Sequence, residues 1–323
     1  MKILQWGYTK SGNFWLYNII DLILFEANIE KKSFIKSHPK YNEISKNKLS
    51  YNNQADIDNI LIENDKVSVV SSSIFKEKIS DFDGFLDQTT HVWSHSTWTK
   101  KSAEIYKKFD KIVYVARDPR DVCISMSKFH FTDYGREYLT SNEKNYKQYL
   151  SNRLPGLLLS WVNNVGYHLF HQKEFDIYII FFENLLLDVD KELRSLIKYL
   201  GVHLSEDQIE SIKNKISFQT MKKDNPSHVR KGGYNKWPRE FNDSQKNISL
   251  KITSKLLKIL NYSENDIFKA PKINFKVRSE ILDAINFSKG SIIDKIKYSA
   301  YLFKSKKPFL LKLKQGFKFI FKL

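Results

Sequence analysis

Apolar positions along the chain fall into two kinds of run. Residues 2–8 (KILQWGY) and 111–116 (KIVYVA) are short and almost continuously apolar, as strands buried on both faces are, and 91–94 is a shorter candidate of the same kind. Residues 14 to about 27 form a longer apolar stretch that predicts a helix, separated from the first strand by a turn at 9–13. The same reading predicts a helix over 98–109, a turn at 117–121 leading into a helix that ends at Phe129, and a long helix over 155–171. A strand over 176–182 and a helix over 189–200 follow. Residues 205–262 read as helices around an irregular basic segment at 222–241, and the pattern loosens after about 263. Strands alternating with helices predict an α/β fold: a central, mostly parallel sheet flanked by helices. Residues 1–262 are expected to form one domain, 263–285 a connecting segment, and 286–323 a basic amphipathic extension.

Composition narrows the class. With 41% hydrophobic and 28% charged residues over 323 positions, the chain is neither disordered throughout nor a polytopic membrane protein. Cys123 is the only cysteine, which excludes an intramolecular disulfide and a cysteine-rich zinc site and suits a reducing compartment. The apolar stretch 14–24 is interrupted by Asn18 and Asp21, no small-residue cleavage site follows, and it is too short to span a bilayer. A cytoplasmic protein is expected.

The net charge of +17 suits polyanions: nucleic acid, anionic lipid or a phosphorylated ligand. More than half of it lies in 286–323, where ten Lys meet one Asp. There, FLLKLKQGFKFIFKL (309–323) sets Lys312, Lys314, Lys318 and Lys322 among Phe and Leu. Such a tail either docks on the domain or lies on an anionic membrane surface from the cytoplasmic side.

Three constellations carry chemistry. YTKSGNFW (8–15) joins the first strand to the first helix, so backbone N–H groups and the helix dipole face a phosphate there, with Lys10, Ser11 and Asn13 beside them. Its order is not that of a Walker A loop, because Lys10 precedes Gly12. VYVARDPRDVCISMSKF (113–129) delivers Arg117 at the carboxyl end of a buried strand, with Ser125 one helix face on. A guanidinium near a hydroxyl suits a dianionic phosphate, although Arg117, Asp118, Arg120 and Asp121 also read as a surface salt-bridge cluster. HVRKGGYNKW (228–237) offers Arg230, Lys231 and the Gly232–Gly233 backbone as a further anion receptor, or as a basic surface loop.

Taken in order, these segments resemble the sulfotransferases that use 3′-phosphoadenosine 5′-phosphosulfate (PAPS). YTKSGNFW looks like that family's YPKSGTTW loop, and VARDPRDVCIS like its 3′-phosphate motif. SWVNNVGYHLF (160–170), IIFFENLLLDVDKELRSLIKYLGV (179–202), SFQTMKKDNP (217–226) and RKGGYNKW (230–237) are similar to later family motifs. The resemblance covers about residues 2–242. It implies that the loop of Lys10, Ser11, Gly12, Asn13, Phe14 and Trp15 holds the 5′-phosphosulfate, with Ser11, Gly12 and Asn13 as donors to the phosphate and Phe14 unable to donate. Arg117, Ser125, Arg230, Lys231 and Gly232 would bind the 3′-phosphate, while Phe182, Ser217, Phe218 and Met221 complete the nucleotide site. It implies PAPS as sulfuryl donor, 3′,5′-bisphosphoadenosine (PAP) as product, and no metal, since cationic side chains fill that role.

A general base is implied as well. His95, in HVWSHSTW, precedes Arg117 with a helix between them, and His38, in Lys-Ser-His, is the other candidate. Several positions depart from the family pattern: Thr9 stands for Pro, Asn13 and Phe14 for a Thr pair, Trp93 for a second Lys, and Phe182 for a Tyr. The expected reaction is sulfuryl transfer to a hydroxyl of a small molecule, glycan or lipid, with Lys10 stabilising the leaving phosphate and no nucleic-acid partner. A non-catalytic polyanion- or membrane-binding homologue and a P-loop nucleotide kinase are the alternatives.

Overall fold

Every residue of Ile3–Gly7 is buried, and this run forms β1, inside a seven-stranded sheet. The protein is described here from a computed structural model covering residues 1–290 apart from 48, 140, 225–232 and 276. After β1 come α1 (Asn13–Glu26), α2 (Phe34–Ser37), α3 (Tyr41–Ser45) and a 3-10 turn at Gln54–Asp56. Three short strands follow, β2 (Asp58–Ile62), β3 (Val67–Ser71) and β4 (Phe75–Lys78), then α4 (Phe82–Asp87) and β5 (His91–Ser94). Next are α5 (Lys100–Tyr106), β6 (Lys111–Ala116), α6 (Pro119–Phe129), α7 (Asp133–Tyr138) and α8 (Tyr146–Phe170). The sheet is completed by β7 (Ile177–Phe181), before α9 (Phe182–Leu187), α10 (Val189–Leu200), α11 (Glu206–Lys215) and α12 (Phe218–Asp224). Last come α13 (Trp237–Glu240) and α14 (Asp243–Ile259).

Strand order is β4-β3-β2-β5-β1-β6-β7. The five strands from β2 to β7 in that order run parallel, while β3 and β4 add antiparallel pairs at one edge. This is the α/β architecture the apolar runs predict. The edge was not foreseen: β2 alternates buried with half-buried positions, and β4 is exposed after Phe75 at Lys76, Glu77 and Lys78.

Alternation along β1 feeds two cores. Leu4 and Trp6 pack with Tyr114, Trp161, Leu158 and Val165 on one face. Ile3 packs with Ile19, Ile20, Ile23, Val113 and Leu196 on the other. α8 begins nine residues before Pro155, because Asn145 caps its first turn by accepting from the Gln148 amide at 3.0 Å. Pro155 sits inside the helix, where it supplies no backbone donor. Residues 279–290 are helical and place Ile281, Ala284 and Ile285 in the first core. No described helix is long and apolar enough to cross a membrane. The basic tail from 291 onward lies outside the described residues.

The registers decide where the site forms. Trp6 pairs with Ser94, Gly7 with Val115, and Ala116 with Phe181, so β1, β5, β6 and β7 end together. Lys10, His95, Arg117 and Phe182 therefore emerge at one carboxyl edge, where open α/β sheets bind ligands.

Candidate active site

The β1–α1 loop is built around two left-handed residues, Lys10 (φ 68°) and Gly12 (φ 103°). A Cβ on Gly12 would lie 2.4 Å from the Phe182 ring, so the close approach of loop and ring requires glycine. No side chain caps α1, which leaves its first-turn N–H groups to an anion. The Ser11 hydroxyl is fully buried without a partner, an orphaned donor at the same place. Asn13 turns its side chain inward: its amide donates to the Tyr8 carbonyl at 2.9 Å. Trp15 donates its indole N–H to Ile216 O at 3.1 Å and meets Phe182 edge to face.

Arg117 is buried, not part of a surface cluster. Its guanidinium donates to Lys10 O (3.2 Å) and Gly233 O (3.0 Å) and stacks over Phe182 at 4.2 Å from the centroid. One guanidinium thus ties three segments together. Asp118 caps α6 and holds Arg120 through Nε (2.9 Å) and Nη2 (2.6 Å), and Arg120 in turn covers Trp237. Asp121 accepts from the Lys236 and Trp237 amides, both at 3.0 Å, which fixes 236–237 against α6. Glu183 accepts from the Asp118 amide and from the Tyr262 hydroxyl, each at 2.9 Å. Burial pushes Asp121 up to about 6 and Glu183 up to about 7.

The other nucleotide-site candidates divide. Ser125 and Met221 line the same cavity as Arg117 and Lys10. The Ser217 hydroxyl is hydrogen-bonded to that of Thr220 at 2.9 Å. Arg230, Lys231 and Gly232 lie outside the described residues, as does the side chain of Phe218. Lys236, which sequence reasoning passed over, lines the cavity; burial and the neighbouring Arg117 lower its affinity for a proton. Its signal was present in RKGGYNKW, one residue before the tryptophan.

Of the two histidine candidates, His95 lines the cavity and His38 does not. His38 instead accepts from the Lys40 amide and lies 3.3 Å from Glu77. His95 Nδ1 is 2.6 Å from Gly7 O, and its ring meets Trp93 edge to face. Burial pushes His95 down to about 4, the Lys10 charge adding to the shift and the Gly7 bond opposing it. The Lys10 ammonium stands 4.1 Å from the Phe129 ring centroid.

The cavity measures about 880 Å³. Gly12, Lys10, Arg117, Phe182 and Met221 line it, as do Phe14, Tyr51, Trp93, Phe129, Tyr134 and His95. Phe14 packs on Tyr51 at 4.3 Å, and the Tyr134 and Ser72 hydroxyls are hydrogen-bonded to each other. A cationic loop, a buried arginine and a neutral imidazole thus line one cavity. That arrangement suits transfer of an anionic group between two bound molecules.

The sulfotransferase domain profile matches residues 1–261. Amine sulfotransferase of Oryctolagus cuniculus is 25% identical over 217 residues, covering 67% of this chain and 61% of that protein. Sulfotransferase 6B1 of Mus musculus is 24% identical over 163 residues, covering 47% of this chain and 52% of its own length. The chain thus spans little more than half the length of these curated relatives. Among solved structures, retinol dehydratase in complex with androsterone and inactive cofactor PAP aligns with a TM-score of 0.52 at 18% identity, covering 80% of each chain. Mouse sulfotransferase SULT7A1 complexed with PAP aligns at 0.50 and 20% identity, covering 76% of this chain and 80% of its own. At these identities the structural likeness is one of fold.

Proposed function

The chain belongs to the sulfotransferase domain family, and on that premise we propose that it transfers a sulfuryl group from PAPS to an acceptor hydroxyl. The observation that carries this reading is the shared cavity: Lys10, Arg117 and His95 come from three strand ends and face the same space. Ser11, Gly12 and the first N–H groups of α1 would bind the 5′-phosphate. Arg117 and Ser125, with Arg230, Lys231 and Gly232, would hold the 3′-phosphate, and Trp15, Phe182 and Met221 the purine.

In the transfer, the acceptor oxygen forms a bond to sulfur while its proton passes to His95 Nε2. The bond between sulfur and the bridging phosphate oxygen breaks, and its electron pair leaves with PAP. Lys10 stabilises the charge growing on that oxygen, the electrostatic contribution that dominates phosphoryl transfer as well. Sulfur keeps its oxidation state, and no further reactant is needed.

The test is a thermal melt with PAP, set beside ATP with Mg²⁺. Ligand at a hundredfold over its dissociation constant stabilises by about 2.7 kcal/mol. PAP is expected to raise the melting temperature clearly more than ATP, and labelled sulfate to move from PAPS to an acceptor. Equal shifts would point to a kinase-like or general polyanion site, and no shift with PAP would end the reading.

A further inference from the structure

Asn59 belongs to β2, and its half-buried side chain stands in the wall of the cavity. The register pairs Asn59 with Trp93 on the neighbouring parallel strand. Paired Cα atoms lie about 4.8 Å apart, and their side chains leave the same face of the sheet. His95 follows two residues after Trp93, and the two rings meet with centroids 5.2 Å apart. Asn59, Trp93 and His95 are therefore successive neighbours, and all three line the same cavity.

The neighbours of Asn59 are accounted for. Asp58, facing the other side, accepts from the Phe34 and Ile35 amides at 3.0 and 2.7 Å. Ser94 donates to Ile60 O at 2.9 Å. Among the described residues, no hydrogen bond or other polar contact reaches the Asn59 carboxamide. A carboxamide both donates and accepts, as a hydroxyl does, and a half-buried one that meets neither demand within the protein is suited to a ligand. Trp93 beside it belongs to an aromatic cluster with Phe14 and Tyr51, and all three line the cavity, which supplies the apolar wall that a ring needs.

The geometry points to Asn59 as a recognition group for the acceptor, one that holds a second hydroxyl of a ring whose first hydroxyl is deprotonated by His95. This rests on the sulfotransferase reading and deepens it. The acceptor class is a ring bearing a second hydroxyl one or two carbons from the one sulfated. Pyranosides and catechols both carry that chemistry.

Initial rates with labelled PAPS on matched pairs test it: 4-methylcatechol against 4-methylphenol, and trans-tetrahydropyran-3,4-diol against tetrahydropyran-4-ol. The diol of at least one pair is expected to show a KM roughly two- to tenfold lower at similar kcat, the worth of one neutral hydrogen bond. Which pair responds identifies the source. Asn59→Leu is expected to erase the difference by raising the KM of the diol alone, while Asn59→Gln restores part of it. Equal KM values within both pairs, a like loss for both members in Asn59→Leu, or PAP binding without sulfation of any of the four would overturn the inference and leave the donor site standing. Absence of PAP binding in the wild-type protein would sink the sulfotransferase reading itself. The wild-type comparison decides the matter even where a variant fails to fold.

Discussion

Nδ1 of His95 stands 2.6 Å from the carbonyl oxygen of Gly7. A carbonyl oxygen only accepts, so the ring proton sits on Nδ1 and the lone pair of Nε2 is left for an acceptor proton. The end of β1 thereby sets the tautomer of the residue that follows β5, its neighbour in the sheet. Gly7 must lack a side chain to do so, since a Cβ there would lie 2.3 Å from Asn13 Oδ1 and 2.6 Å from the Val115 side chain.

A pH profile follows from this placement. With His95 pushed down to about 4, the acid limb of kcat/KM is expected near pH 4, well below the value of about 6.5 for free imidazole. His95→Gln is expected to lower kcat by about 10²–10⁴ and leave PAP affinity unchanged. The same shift enters stability. Between about pH 4 and 6.5 the unfolded chain takes up a proton at this histidine that the folded chain refuses, so stability rises with pH there. Denaturant midpoints across that window are expected to slope less in His95→Gln; an unchanged slope and an acid limb near 6.5 would place the base elsewhere.

Arg117 and Ser125 separate by strength. Arg117 is charged and braces Lys10 O and Gly233 O, whereas Ser125 offers one hydroxyl to the cavity. A charged hydrogen bond is worth roughly 1.5–3 kcal/mol and a neutral one about 0.5–1.5, so Arg117→Ala should weaken PAP binding by at least tenfold and Ser125→Ala by less. Calorimetric titration with PAP and with adenosine 5′-phosphate checks the assignment. Equal losses for both ligands would remove these residues from the 3′-phosphate.

Gly12 tests the loop. Alanine there meets both a left-handed backbone at φ 103° and a ring carbon of Phe182 at 2.4 Å. Strain of this kind costs on the order of 1–3 kcal/mol. Gly12→Ala is expected to lower the denaturation midpoint and PAP affinity together. Adding Phe182→Leu should recover part of the stability loss, though not the PAP affinity, because it relieves the contact but not the backbone angle.

Sequence reasoning reached β1, β5 and β6 because strands buried on both faces leave continuous apolar runs; it placed Lys10 and Arg117 because strand ends follow from strands, and His95, beside His38, through the family resemblance. It missed β2 to β4, because Asn59 interrupts the apolar run of β2 and β4 is exposed at Lys76, Glu77 and Lys78. Asn59 was invisible as a cavity residue for that reason, and Tyr51 because it lies in a loop that left no pattern. The Arg117–Phe182 stack joins positions far apart in the chain, and only the β6–β7 register brings them together. α8 was read too short because Pro155 looks like a first-turn proline, while the Asn145 cap ten residues before it gave the weaker signal.

Residues beyond 262 look from the sequence like a connector, yet Ile281, Ala284 and Ile285 are buried in the core beside α8 and α14. The fit is close: a Cβ on Gly166 of α8 would lie 2.7 Å from the Ile285 side chain. Ser288 ties the segment down by donating to the Ala284 and Ile252 carbonyls. Ending the chain at 262 would expose the apolar face of α8 and α14 that these residues cover, so the shortened protein is expected to lose stability and solubility. Ile285→Ala isolates the packing contribution, and truncating a buried Ile to Ala commonly costs about 2–5 kcal/mol through lost transfer energy and a residual cavity. Gly166→Ala, which adds bulk at the same contact, should destabilise as well, and the double variant should cost less than the sum of the two singles because the new methyl fills part of the cavity. Urea titrations of the four proteins decide it; strictly additive losses would mean that the two residues do not pack against each other.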